Sequence, residues 1–419
     1  MRRTLLFLAM FALVVPPLRA QYLLVPMDAT TQTNHLKAYG LTYWTLTQGY
    51  TAEWLLNYRG GSFLLPDREP VRREAALRGV TVEQLDASRV AQIRSQIERE
   101  NMESIILEKA PQIAVYTPPN TPPWDDAVTL ALTYADIPYD KVWDAEVLQG
   151  RLKEYDWLHL HHEDFTGQYS KFYINYAGAA WLQEEVQRNQ AMAAQFGHAN
   201  VPALKKAVAE EIRRYVAEGG FLFAMCTATE TIELALAAVG VDIAASFSDG
   251  TPPDPNATAK MQWGRTMAFQ GAEVQVNPTV NAFSDIDGHQ VNTPWRQPLG
   301  AFKLFEFSAK FDPVPSMLVQ NHESVIPDYY GLTTSFRRDR LKPGTIVLAE
   351  EEGAPWVKYI HGTYAQGTWT FLGGHDPEDP QHQIGDAPTD LSLHPNSPGY
   401  RLILNNVLFP AAKKKTLKT

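Results

Sequence analysis

Short apolar runs alternate with longer stretches of helical period along most of this chain. "YLLVPMD" (residues 22–28) predicts a buried strand, residues 31–48 an aromatic-rich helix, and "AEWLLNY" (52–58) a second strand, with "RGGSF" closing a first α/β unit. Residues 67–110 are charged and helical in pattern, most clearly in "VEQLDASRVAQIRSQIERE". A second series then begins. "QIAVYTP" (112–118) predicts a strand, 124–134 a helix, "YDKVWD" a strand, 145–153 a short helix and "YDWLHLHH" (155–162) another strand. Residues 171–198 read as helical and extra to a minimal unit. "PALKKAVAEEIRRYVAEGG" is a patterned helix with a glycine stop, leading into "FLFAMC" and the helix "TATETIELALAAVG".

Strands alternating with helices predict a mostly parallel, flavodoxin-like α/β sheet with helices on both faces. From Asp242 the texture changes to Pro, Asn, Gly and aromatics with short strand-like pieces. The alternating pattern resumes with "GTIVLAEE", the hairpin "PWVKYIHGTYAQGTWTFLGGHD" and a last helix, "PGYRLILNNVLF". The expected organisation is an N-terminal α/β unit over 21–110, a core over 111–241 and 341–412, and a β-rich insertion over 242–340.

Composition narrows the function. The net charge of −10 on 419 residues provides no broad basic footprint, so nucleic acid is not an expected partner. Lys413, Lys414, Lys415 and Lys418 read as a solvated tail. The first residues, "MRRTLLFLAMFALVVPPLRAQ", have a basic start, an apolar run too short to span a bilayer and a break before small Ala20. That predicts a signal peptide over residues 1–20 and a periplasmic or secreted protein with no later membrane span.

Export sharpens the meaning of the single cysteine, Cys226, which has no intramolecular partner. It sits where an apolar strand ends and a helix begins, between small Ala224 and Ala228. A helix N-terminus favours a thiolate, and its N–H groups, near Thr227, are suited to an oxyanion. A thiol nucleophile wants an imidazole base. Of 11 histidines, His375 stands at another strand end, in "TWTFLGGHDPED", with Asp376 and Glu378 as candidates to orient it.

A strand ending in Cys226, a helix after it, and a much later strand ending in His375 with acids close behind resemble the class I glutamine amidotransferase-like superfamily, over residues 111–240 and 343–410. The resemblance implies Cys226 as nucleophile, His375 as base and Glu378 or Asp376 as third member. The family's glycines around the nucleophile are Ala224 and Ala228 here, and Pro377 stands where its acid is usual. Where it commonly has oxyanion glycines, this chain has "HLHHEDF", placing His161, His162 and Glu163 along the pocket. The whole chain also resembles exported bacterial proteins labelled "asparagine synthetase B". It lacks that synthetase's cysteine after the initiator methionine and its S-G-G-x-D-S loop, and "YRGGSF" shares only two glycines and a serine with the latter.

The expected function is therefore an exported cysteine-dependent amidohydrolase or glutamine amidotransferase-like enzyme acting on a small molecule or peptide, without a cofactor. Two other readings compete. One is a non-catalytic member of the superfamily that binds a glycan, peptide or partner protein, with Trp263, Trp295, Tyr329 and Tyr330 as groove candidates. The other is a metal-dependent hydrolase: His159 and His161 share a strand face, and with Asp164 they suit zinc or a similar ion. "DIDGHQ" lacks the remaining ligands of a calcium loop and reads as a turn.

Overall fold

The computed structural model describes residues 21–119, 126–289, 300–318, 323–383 and 385–412. The proposed signal segment, Trp124, Trp295 and the basic tail lie outside the described residues.

Residues 21–110 build an antiparallel sheet from β1 (Tyr22–Val25), β2 (Ala52–Leu56), β3 (Ser62–Pro66), β4 (Glu83–Leu85) and β5 (Glu103–Leu107), in the order β4-β1-β3-β2-β5. Period-two alternation sorts its side chains. Leu23, Val25, Trp54, Leu56, Phe63 and Leu65 join the core that holds helix His35–Thr47. Leu24, Leu55 and Leu64 pack instead with Val90, Ile93 and Ile97 of helix Ala87–Arg99.

The second sheet has ten strands: β6 (Ile113–Tyr116), β7 (Asp140–Val142), β8 (Trp157–Leu160), β9 (Phe221–Met225), β10 (Ala301–Leu304), β11 (Val325–Pro327), β12 (Phe336–Arg337), β13 (Ile346–Glu351), β14 (Trp356–Tyr364) and β15 (Gly367–Leu372). Strands β7-β6-β8-β9-β15 run parallel. Beyond β15 the direction reverses: β14, β13, β10 and β11 follow antiparallel, and β12 pairs with β14. The sheet is mixed, which corrects the expectation of a mostly parallel one. The cause is the β14–β15 hairpin, turned through Ala365 at φ 52°. Strands β10, β11 and β12 come from the 242–340 segment, so that segment extends the same sheet.

Helices cover both faces of the parallel half. His35–Thr47, Ala127–Tyr134 and Pro398–Leu408 share one core with Ile113, Val115, Phe223 and Met225. Asp144–Leu148, Val201–Ala217 and Ala228–Ala237 share another with Ala114, Leu158, Leu222 and Ala224. Among the described residues no helix is long and apolar enough to cross a membrane. The carboxyl ends of β6, β8, β9 and β15 lie side by side, the edge where parallel sheets hold ligands.

Candidate functional site

Cys226 leaves β9 with φ 49°, a left-handed conformation that costs a non-glycine residue about 1–3 kcal/mol. The residue is only 2% exposed. Backbone N–H groups of Thr227, Leu332 and Thr333 face the sulfur, and Thr227 Oγ1 lies 3.6 Å from it. Burial outweighs these donors and pushes the thiol pKa up. Gly331 lies directly on the sulfur: a Cβ there would sit 2.9 Å from Sγ. Other N–H groups at the start of helix Ala228–Ala237 are engaged. Ala228 donates to His161 O at 2.9 Å and Thr229 to Cys226 O at 3.2 Å.

His375 follows Gly373 and Gly374 off the end of β15. Its N–H donates to Tyr330 O (2.7 Å) and that of Gly374 to Thr333 O (2.9 Å), which stitches the 329–334 loop to the strand end. Among the described residues, no hydrogen bond joins its ring to Cys226. The ring instead meets His161 edge-on, centroids 4.5 Å apart at 89°, and lies flat against His382 at 4.4 Å and 3°. His162 completes the group: ligand atoms of His161, His162 and His375 all lie within 4.8 Å of one another.

Two of these imidazoles, His161 and His375, are held toward the neutral form. His161 is fully buried, and neither of its ring nitrogens makes a hydrogen bond; Nδ1 of His375 also makes none. Burial lowers the His161 pKa to about 3 against the pull of Asp126, and burial with the neighbouring imidazoles drives His375 well below its ordinary value. Three imidazoles whose ring nitrogens converge in this way suit zinc or another borderline divalent ion. Tetrahedral ligation needs ligand atoms about 3.3 Å apart, so side-chain rotations closing at most about 1.5 Å are required.

The metal set drawn from sequence is not assembled. His159 contacts Phe223 O through Nδ1 (3.0 Å) and Asp126 through Nε2 (3.3 Å). Asp164 accepts from the N–H groups of Thr166 (2.7 Å), Gln168 (3.0 Å) and Ser170 (2.9 Å), organising its own loop. Neither candidate third member of a triad reaches His375. Asp376 accepts from Glu378 N–H (2.9 Å) and Thr389 Oγ1 (2.8 Å), and Glu378 pairs with His394 (2.9 Å). Glu163 accepts the His161 N–H at 2.9 Å; burial raises its pKa against the opposing influence of His162.

Two residues escaped the sequence reading. Asp126 is the N-cap of helix Ala127–Tyr134 and lies beside His159 and His161; an acid just before a helical run was its only signal. His382, held by Asp379 at 2.8 Å, had none. Tyr329 and Tyr330 are buried, and Asp285 is bound by Arg337 and Arg340 in a structural turn. A groove of about 860 Å³, lined by Tyr215, Gly220, Phe221, Gly367 and Phe409, lies at the opposite ends of β9 and β15 and touches none of the candidate residues.

No family model matches the chain, and no curated protein matches it. Solved structures similar to it include a cytoplasmic protein of Salmonella typhimurium, 11% identical, with 72% of this chain and all of that one covered at a TM-score of 0.35. An exo-beta-1,4-mannosidase from an Opitutaceae bacterium is 13% identical, with 68% and 33% covered at 0.28. A ThuA-like protein from Bacteroides uniformis is 11% identical, with 70% and 90% covered at 0.29.

Proposed function

We propose that this protein is a metal-dependent hydrolase whose centre is formed by His161, His162 and His375. The observation that carries the reading is the convergence of three histidines within 4.8 Å, two of them buried with ring nitrogens that make no hydrogen bond. Leaving such groups unmade is expensive, and a ligated ion removes the cost. Bound there, a zinc-class ion would supply Lewis acidity toward water and an electrophilic carbon. His161 and His375 fix the inner side of the centre, and half-buried His162 stands on the solvent side. Glu163 takes a proton from the attacking water. The water oxygen joins the substrate carbon, the bond to the leaving group breaks, and the proton passes to that group. The substrate class is a small molecule or peptide with a hydrolysable carbonyl-type bond. Elemental analysis of untagged protein is expected to give about one zinc-class ion per chain, lost in His161→Ala and His375→Ala. Absence of any ion, together with no zinc uptake on titration, would overturn the reading.

A second reading rests on the φ of 49° and the three backbone N–H groups facing sulfur: Cys226 as nucleophile of an amidohydrolase. It requires the 329–334 loop to lift and His375 to turn away from His161. Iodoacetamide labelling of the folded protein faster than that of free cysteine at neutral pH supports it; slower labelling removes it. We further read the parallel half as flavodoxin-like and residues 1–20 as a cleaved export signal. N-terminal sequencing of protein from the host periplasm or medium is expected to begin at Gln21.

A further inference from the structure

We infer that Asp126 is the positioning residue of the histidine centre: its carboxylate accepts a hydrogen bond from Nδ1–H of His161, which holds the proton on Nδ1 and leaves the ligating lone pair on Nε2. The inference rests on the metal reading above and adds to it a residue outside the ligand set. Asp126 is 3% exposed at the start of helix Ala127–Tyr134, and His161 is fully enclosed just past the end of β8. His161 Nδ1 lies 3.4 Å from Asp126 Oδ1, a few tenths of an ångström beyond a formed hydrogen bond, and makes no hydrogen bond to any other group. A small turn of the ring onto an ion closes that gap.

Helix capping alone does not account for a carboxylate here. Oδ1 accepts from Val128 N–H (2.7 Å) and Thr129 N–H (3.3 Å), starting helix Ala127–Tyr134, and asparagine caps a helix as well as aspartate does. The same oxygen also faces two imidazoles, His159 Nε2 at 3.3 Å and His161 Nδ1 at 3.4 Å. An asparagine would keep one oxygen there but lose the negative charge, and a hydrogen bond to a charged acceptor is roughly twice as strong as one to a neutral amide oxygen. His159 lies between Phe223 O, 3.0 Å from Nδ1, and the same Asp126 oxygen, 3.3 Å from Nε2, so both of its ring nitrogens already face protein oxygens. Carboxylate–histidine–metal chains of this kind orient the ring and raise its basicity, and their loss weakens metal binding by about 10–100-fold.

The test compares wild type with Asp126→Asn in the full chain, using zinc affinity by chelator competition and the visible absorption of the cobalt-loaded protein. Asp126→Asn keeps the cap, so its circular dichroism and melting temperature are expected to match wild type. Its zinc affinity is expected to fall about 10–100-fold, with shifted cobalt bands. Asp126→Ser also caps while lacking the carboxylate, and serves if the asparagine variant misfolds. Equal affinity and identical cobalt bands in a folded variant would reduce Asp126 to a helix cap and leave the metal reading standing. If wild type itself takes up neither ion, the metal reading fails and this inference falls with it.

Discussion

Replacing Gly331 by alanine tests how tightly the 329–334 loop seals the thiol. No left-handed φ is required at this position, so the effect is steric. The new Cβ would lie 2.9 Å from Cys226 Sγ, 3.0 Å from Gly374 Cα and 3.1 Å from Gly374 C. Comfortable contact begins near about 3.5 Å, so the loop must lift by roughly half an ångström. Neither neighbour yields easily, one being a strained elbow and the other backbone. Overpacking of this sort costs about 1–3 kcal/mol. Lifting also strains the bonds from His375 N–H to Tyr330 O and from Gly374 N–H to Thr333 O, each worth about 1 kcal/mol net.

A local destabilisation of about 2 kcal/mol follows, and it favours the state in which sulfur is open. Because burial keeps the thiol protonated and enclosed, labelling by a disulfide reagent proceeds through that open state. Its rate is expected to rise roughly 30-fold at neutral pH. Cys226→Ala removes one of the clashing atoms, so the penalty of Gly331→Ala should shrink by about 1 kcal/mol in that background, measured by urea unfolding as a double-mutant cycle. Unchanged labelling and a stability within about 0.5 kcal/mol of wild type would show that the loop does not rest on the sulfur.

Burial raises the Glu230 pKa to about 8, while an unfolded carboxyl titrates near 4.5. The folded state therefore holds an extra proton between those values, and Glu230 makes stability fall as pH rises from about 5 to 8; Glu230→Gln is expected to flatten that fall in urea titrations, gaining up to about 4 kcal/mol at pH 8 and little at pH 5. Glu233 accepts the N–H groups of Met267, Ala268 and Phe269 at 2.8–3.1 Å, so Glu233→Ala is expected to lose about 3–5 kcal/mol and speed hydrogen exchange at those amides. Tyr169, Ser170 and Lys171 are consecutive left-handed residues, so Ser170→Gly is expected to gain about 0.5–1 kcal/mol in thermal unfolding, while Asp164→Ala, which removes the acceptor shaping this turn, loses about 2–4 kcal/mol.

The parallel strands were legible because each is a short, fully enclosed apolar run, as "FLFAM" is in β9. What escaped was pairing direction. The hairpin was read, but nothing in "GTIVLAEE" states which strand lies beside it, so the antiparallel run of β13, β10 and β11 beyond β14 was not foreseen. Strands β4 and β5 were hidden inside a charged stretch because each buries only part of its surface. The sequence reading carried β8 through His162, yet it stops at Leu160. The reason is local: Glu163 accepts the His161 N–H that a neighbouring strand would otherwise have accepted. That early stop frees His161 and His162 to depart from strict alternation and converge with His375. Asp164 was read as a ligand when its neighbours already marked a turn, since Asp164, Thr166 and Gly167 have the residue types of an Asx turn.

The sulfur and the histidines begin at adjacent strand ends but face different surroundings, and the 329–334 loop accounts for the difference. By accepting the N–H groups of Gly374 and His375 it fixes the backbone leaving β15, and by turning Leu332 and Thr333 N–H groups toward Cys226 it encloses the thiol. Thr333 also donates to Glu230 at 2.9 Å, tying the same loop to the helix that follows the elbow. With its backbone so held, the His375 side chain packs against His161 and His382, whose rings occupy its two sides. One imidazole cannot use the same lone pair to take a proton from a thiol and to bind an ion. Cysteine chemistry therefore requires breaking the loop's contacts, whereas the metal centre needs only side-chain rotations within the fold as it stands. That asymmetry of rearrangement ranks the two readings.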